Sequence, residues 1–199
     1  MQKVAAGCIG IFLLVFLLII ITAIGSYNGL VSSSTAVDGK WADVQAQYQR
    51  RADLIPNLVS TVQGAANFEK STLIAVTDAR ASVGQVKIDP NQAPTDQAQL
   101  DKYQAAQSQL SSSLSRLLAV SENYPELKST KNFADLQVDL AGTENRIAVE
   151  RQRFNQVTQQ YNTAIRLFPA STIANMSGFR EKPYFEADAG AATAPKVKF

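Results

Sequence analysis

Hydrophobic positions fall into two regimes along the chain. From Val4 to Gly25 they are continuous, 22 residues without a charge, and Ile, Leu, Phe and Val dominate from Ile9 to Ile21. About 20 such residues cross the hydrocarbon core of a bilayer, so the run predicts a membrane-spanning helix. A cleaved signal peptide is the rival reading, with Ala23-Ile24-Gly25 before Ser26 as a cleavage-like triplet. Its apolar stretch would hold only about 7–15 residues. Ala5-Ala6-Gly7-Cys8 imitates a lipoprotein box but precedes the apolar run instead of following it, so Cys8 reads as a small apolar residue of the span.

Beyond Ser34 the spacing turns to threes and fours, the period of an amphipathic helix. Trp41, Tyr48, Ile55, Val62, Glu69, Val76 and Val83 recur every seventh residue, with Val44, Leu58, Val59, Ala65, Ala66 and Leu73 between them. One helix from about Thr35 to Val83 is expected, roughly 70 Å long at 1.5 Å per residue. Pro56 removes a helical hydrogen bond and predicts a bend near Ala52–Pro56, with Gly64 a second soft point. Val86 to Thr95 reads as a loop, and Thr95 or Asp96 can cap a second helix running to about Glu122. Asn123-Tyr124-Pro125 breaks the pattern. A third helix, about 128–168, carries Phe133, Leu140, Ile147, Phe154, Tyr161 and Phe168 seven apart and stops at Pro169.

The fold class expected is all-α: an N-terminal transmembrane helix followed by an elongated antiparallel up-down helical bundle of three long helices plus a short fourth element. Residues 1–3 form a flank, 4–25 the span, 26–169 the bundle, and 170–199 a short helix and a mostly irregular tail. The third helix should begin beside roughly Asp53. Thr35–Gln49 is then a stalk, or packs on the C-terminal tail or on another subunit. Trp41, Val44 and Tyr48 would otherwise form an exposed apolar stripe, which is the ground for expecting a homo-oligomer.

Charge and composition then narrow the chemistry. Of 199 residues, 19 are Lys or Arg and 17 are Asp or Glu, a net charge of +2. So small an excess argues against a nucleic-acid binder. There is no histidine and one cysteine, which excludes Ser-His-Asp and Cys-His catalysis, an intrachain disulfide and the usual zinc sites. No phosphate-cradling glycine motif is present. No catalytic residue, cofactor site or metal site is assigned, and the chain is read as a non-enzyme. Arg50, Arg51, Asp53, Pro56 and Asn57 are read as a structural ion-pair cluster or a binding site at the proline. Arg51 falls on the apolar stripe, which favours structure. Glu69 is expected to pair with Arg146 across the bundle and to set register, with Glu122, Glu144, Glu150 and Arg151 extending the network. Val197 and Phe199 alternate with lysines, as in a strand that could add to a sheet edge or enter a carboxylate nest, or that simply docks on its own bundle. Lys3 alone leans toward a cytoplasmic N-terminus.

Arg50-Arg51-Ala52-Asp53-Leu54-Ile55-Pro56-Asn57-Leu58-Val59 resembles the signature of the LemA family. Tyr27-Asn28-Gly29-Leu30-Val31, Glu122-Asn123-Tyr124-Pro125-Glu126-Leu127-Lys128, Thr143-Glu144-Asn145-Arg146-Ile147, Tyr161-Asn162 and Pro195-Lys196-Val197-Lys198-Phe199 resemble it too. Phe154-Asn155 stands where the family often has tyrosine-asparagine. The resemblance implies a bacterial single-pass membrane protein with a helical bundle. It also implies partnership with a membrane zinc peptidase of the HtpX type or a TPM-domain protein in envelope stress. It places the bundle in the cytoplasm, against the charge-based lean, and the side of the membrane stays open. The expected function is a membrane-anchored, non-catalytic scaffold that self-associates and binds partner proteins, or alternatively an adaptor for such a peptidase.

Overall fold

The computed structural model describes residues 2–64 and 68–187, with the side chains of 2–8 outside the description. Every regular element among the described residues is helical. The first helix, α1 (Gln2–Gln63), begins in the apolar run and continues without interruption into the bundle. Polar residues do not break it at Ser33 and Thr35, because their hydroxyls donate to the carbonyls of Gly29 and Val31 one turn back. A buried stripe of Leu30, Val37, Trp41, Val44, Tyr48, Arg51, Ile55, Leu58 and Val62 then faces inward.

The expected helix from Thr35 to Val83 is two helices. The chain leaves α1 at Gly64 and re-enters helix as α2 (Lys70–Gln85), after an extended Glu69 at its N-cap. α2 folds back along α1, so that Arg80 lies beside Ala52. α1 continues through Pro56 as one helix, short of one backbone hydrogen bond there. The carbonyl that the proline cannot serve, Ala52 O, accepts instead from Arg80 Nε at 3.2 Å. This side-chain donor satisfies the backbone group and lets the helix persist. α1 therefore ends beside Gly64, a poor helix former, and not at the proline.

The loop after α2 returns to the lower part of α1. Trp41 Nε1 donates to Asp89 O at 2.8 Å, and Ala93 N donates to Asp38 at 3.0 Å. Asp96 caps α3 (Gln97–Ser121) by accepting from Ala98 N. After the short α4 (Pro125–Lys128), α5 (Lys131–Ala164) runs in the opposite direction along the part of α1 that follows the apolar run. The long C-terminal helix thus descends toward the apolar segment, reversed from the three-rod expectation because α2 adds one pass. A last short helix, α6 (Ala170–Ser177), packs on α1 and ends at Gly178, whose φ of +77° is the left-handed C-cap conformation. Residues 179–187 then extend back up the bundle.

Two apolar clusters fill the interior. The lower holds Trp41, Tyr48, Tyr103, Phe154, Tyr161 and Phe185, and the upper Ile55, Leu58, Leu110, Leu117, Phe133 and Leu140. Trp41, Val44 and Tyr48 do not form an exposed stripe: α3, α5 and the extended C-terminal segment cover them. Of the three fates open to that stretch, packing under the tail is the one observed, and the stripe no longer supplies a reason for oligomerisation.

Candidate functional site

The layer between the two clusters is polar. Arg51, one turn after Tyr48 on the inward stripe, is 1% exposed. Its Nη1 donates to Glu144 Oε1 and to Ser111 Oγ, both at 2.6 Å, and its Nη2 bonds the Gln107 side-chain oxygen. Its guanidinium also lies over the Tyr48 ring, 5.3 Å from the centroid. Gln107 and Thr143 are buried in the same layer. The Nε of Arg51 is buried without an acceptor. α1, α3 and α5 each contribute one turn to this layer, so a shift of any helix along its axis would strand a charge in apolar surroundings.

Outside the layer lies an open groove of about 760 Å³ between α3 and α5. Ser108, Ser111, Ser112 and Ser115 line one wall, and Glu144, Ala148 and Arg151 the other. Burial pushes the Tyr48 hydroxyl at its floor up to about 12, only partly opposed by the positive charges of Arg151 and Arg51. Burial likewise raises Tyr103, which donates to Gln45 at 2.8 Å. The groove offers hydroxyl and guanidinium donors around one carboxylate already paired with arginine. That inventory suits polar binding.

Below the groove, the same two helices hold residues 179–187. Asn155 and Asn162 each clamp one residue of this segment with both amide atoms. Asn155 accepts from Phe185 N at 2.9 Å and donates to Phe185 O at 2.8 Å, and Asn162 does the same with Lys182 N and O at 2.9 and 2.8 Å. The spacing is geometric. Seven helical residues rise about 10.5 Å, and three extended residues span about 10 Å. Gln104 and Arg151 both donate to Glu186 O. Lys182, 7% exposed, donates to Asp38 at 2.6 Å, and Phe185 packs against Trp41 and Phe154 with ring centroids 5.9 and 5.4 Å apart.

The residues singled out from the sequence land in different places. Arg51 enters the polar layer, while Arg50 makes a long 3.9 Å contact with Asp139 on the surface. Asp53 accepts from Gln49, and the Asn57 carbonyl accepts from Thr61; neither serves the carbonyl freed by Pro56. Glu69 lies 3.9 Å from Arg116 and not beside Arg146, because the chain reverses before Glu69 and carries it away from α5. Arg146 is exposed, its guanidinium near Gly142. Glu122 pairs with Lys128, and Glu150 with Arg153. Val197 and Phe199 lie outside the described residues. Sequence reasoning missed the clamp, although its signal is visible: Phe154-Asn155 and Tyr161-Asn162 repeat an aromatic-asparagine pair seven residues apart, the aromatic for the core and the amide for the strap. It also missed the serine wall, written as Ser108, Ser111, Ser112 and Ser115 at helical spacing.

These features define an all-helical bundle carried on one long helix with an apolar first third. The profile described as the LemA family matches residues 40–199. The chain belongs to that family. It is 28% identical over 181 residues to a protein named Magnetosome protein MamQ from Magnetospirillum gryphiswaldense, covering 83% of this chain and 66% of that one. Magnetosome protein MamQ 2 of Paramagnetospirillum magneticum is 27% identical over 182 residues, covering 84% and 67%. Protein LemA of Metamycoplasma hominis is 22% identical over 179 residues, covering 90% and 74%. The chain spans about two thirds of the length of the magnetosome relatives.

Proposed function

We propose that the protein is a membrane-anchored, non-catalytic scaffold that self-associates and binds partner polypeptides at the bacterial membrane. The observation that carries this reading is the continuity of α1. Its side chains from Ile9 to Thr22 stand exposed on all sides, and the same helix becomes the central rod of the bundle. An apolar segment exposed all round matches a lipid environment. A rod with no joint holds the bundle at a set height above it. The groove supplies donors for binding. Self-association then uses faces other than the covered Trp41–Tyr48 stripe.

A second reading has its own support. The α3–α5 cleft grips an extended chain mainly through backbone groups, a mode that accepts many sequences. This suits an adaptor that holds clients for a membrane peptidase of the HtpX type or for a TPM-domain protein. Cross-linking in native membranes with mass identification separates the two. A homogeneous assembly of this chain alone supports the scaffold, and a peptidase captured in fixed ratio supports the adaptor. A monomer with no cross-linked protein overturns both.

A further inference from the structure

The end of the bundle nearest the apolar run carries large apolar side chains that cover nothing. Leu167 is 60% exposed, Phe168 84% and Met176 81%. All three belong to the turn that joins α5 to α6 or to α6 itself. The opposite face of this turn is fully used. Ala174 is buried in the lower cluster together with Leu30, and Phe179 meets the Tyr27 ring edge-on at 5.8 Å. Tyr27 lies two residues beyond the apolar run. On α1, Ala23, Ser26 and Leu30 share one face, and all three are less exposed than the apolar residues just before them. The inward stripe of the bundle therefore continues into the last turn of the apolar run. The knuckle sits level with the point where a span beginning at Val4 would leave the hydrocarbon.

The flanking charges fit the same level. Arg166 and Glu181 close the base of the knuckle with two bonds, Nε to Oε1 at 2.7 Å and Nη2 to Oε2 at 2.6 Å. Between Leu167 and Phe179 there is no charged residue. An apolar tip with its charges held behind it and an aromatic ring at its side is the pattern of an element at the lipid interface.

We propose that the α5–α6 knuckle dips Leu167, Phe168 and Met176 into the lipid headgroup layer, giving the bundle a second foothold beside the span. This rests on the reading of α1 as a membrane anchor. Two contacts at one membrane surface fix the tilt of the rod, whereas a lone span leaves it free to lean.

Spin labels on single cysteines test it in the full chain, with Cys8→Ser as background, reconstituted into phosphatidylcholine–phosphatidylglycerol vesicles. Labels go to Phe16→Cys in the span, Phe168→Cys and Met176→Cys in the knuckle, and Val138→Cys, which is 71% exposed on α5. The neighbour of Val138, Asp139, faces Arg50, about 35 Å beyond Tyr27 along α1. Collisions with a water-soluble nickel chelate should be several-fold fewer at Phe168 and Met176 than at Val138, with oxygen collisions raised toward those at Phe16. If Phe16 is lipid-exposed but the knuckle labels behave like Val138, the foothold is overturned and the anchor stands. If Phe16 is itself aqueous, the anchor fails and takes the foothold with it. Knuckle labels shielded from both nickel and oxygen would show a protein contact in place of lipid, and would also overturn the proposal.

Discussion

Among the described residues, Arg51 is the one guanidinium in the buried interior, and its partner is less buried than it is. The Glu144 side chain is 39% exposed against 1% for Arg51. Removing one partner of a buried pair leaves the other uncompensated, so the two removals are unequal here. Arg51→Met keeps most of the volume and lets Glu144 return to water; a loss of about 1 kcal/mol or less is expected. Glu144→Gln keeps the shape but leaves the buried guanidinium with only neutral partners, Ser111 and Gln107; about 3 kcal/mol is expected. Denaturant midpoints of the two variants decide, and equal losses would show that Arg51 contributes through packing alone. Tyr48 gives a pH signature. Its hydroxyl sits at about 12 in the folded chain against 10 unfolded. Between these values the unfolded state has lost a proton that the folded state keeps, so stability falls as pH rises from about 10 to 12, by up to roughly 3 kcal/mol. Tyr48→Phe should flatten that slope relative to the parent, leaving neutral pH little changed. An unaltered slope would mean that Tyr48 ionises freely in the fold.

Among the elements, α1 at Pro56 shows how far periodicity carries a sequence argument. The spacing of the helices was legible because burial follows it: Phe133, Leu140, Ile147, Phe154 and Tyr161 are all inside. The chain reversal at Gly64 was not, since the apolar stripe resumes at Val76 and Val83 in register with Trp41 and disguises two helices as one. A strict seven-residue count survives a reversal whenever the second helix faces the same core. The same reversal displaced Glu69 from Arg146. Pro56 looked like the weak point because the sequence shows the missing N–H but not the distant Arg80 that compensates for it. Pro56→Ala should restore the Ala52 bond within the helix and stabilise the chain by about 1–2 kcal/mol, less than the full propensity gain of about 3 kcal/mol because Arg80 loses its acceptor. Arg80→Met should cost more in the parent than in the Pro56→Ala variant. A double-mutant cycle showing no coupling would remove the compensation from the account.

At the scale of the whole molecule, the last described segment acts as a strap that closes the lower half of the bundle. In the sequence this segment reads only as part of a mostly irregular tail, and its pattern does not show where it docks. Whether Asn155 meets solvent or a backbone depends on a chain thirty residues away. Asp38 joins the parts. On α1, it accepts from Ala93 N in the α2–α3 loop and from Lys182 Nζ in the strap. The strap lies over Trp41 through Phe185, and Trp41 is the single tryptophan of the chain. Its emission therefore reports strap closure without added labels. Replacing Asn155 and Asn162 together by Ala removes the four clamp bonds, each worth about 1 kcal/mol net, while the helices keep their own backbone bonds and the upper cluster is untouched. Trp41 emission should move to longer wavelength and become quenchable by acrylamide, with helicity close to that of the parent. Asp38→Ala should act in the same direction and also free the loop. If helicity falls in step with the fluorescence change, the strap is one cooperative unit with the bundle and not a segment that can open over an intact core.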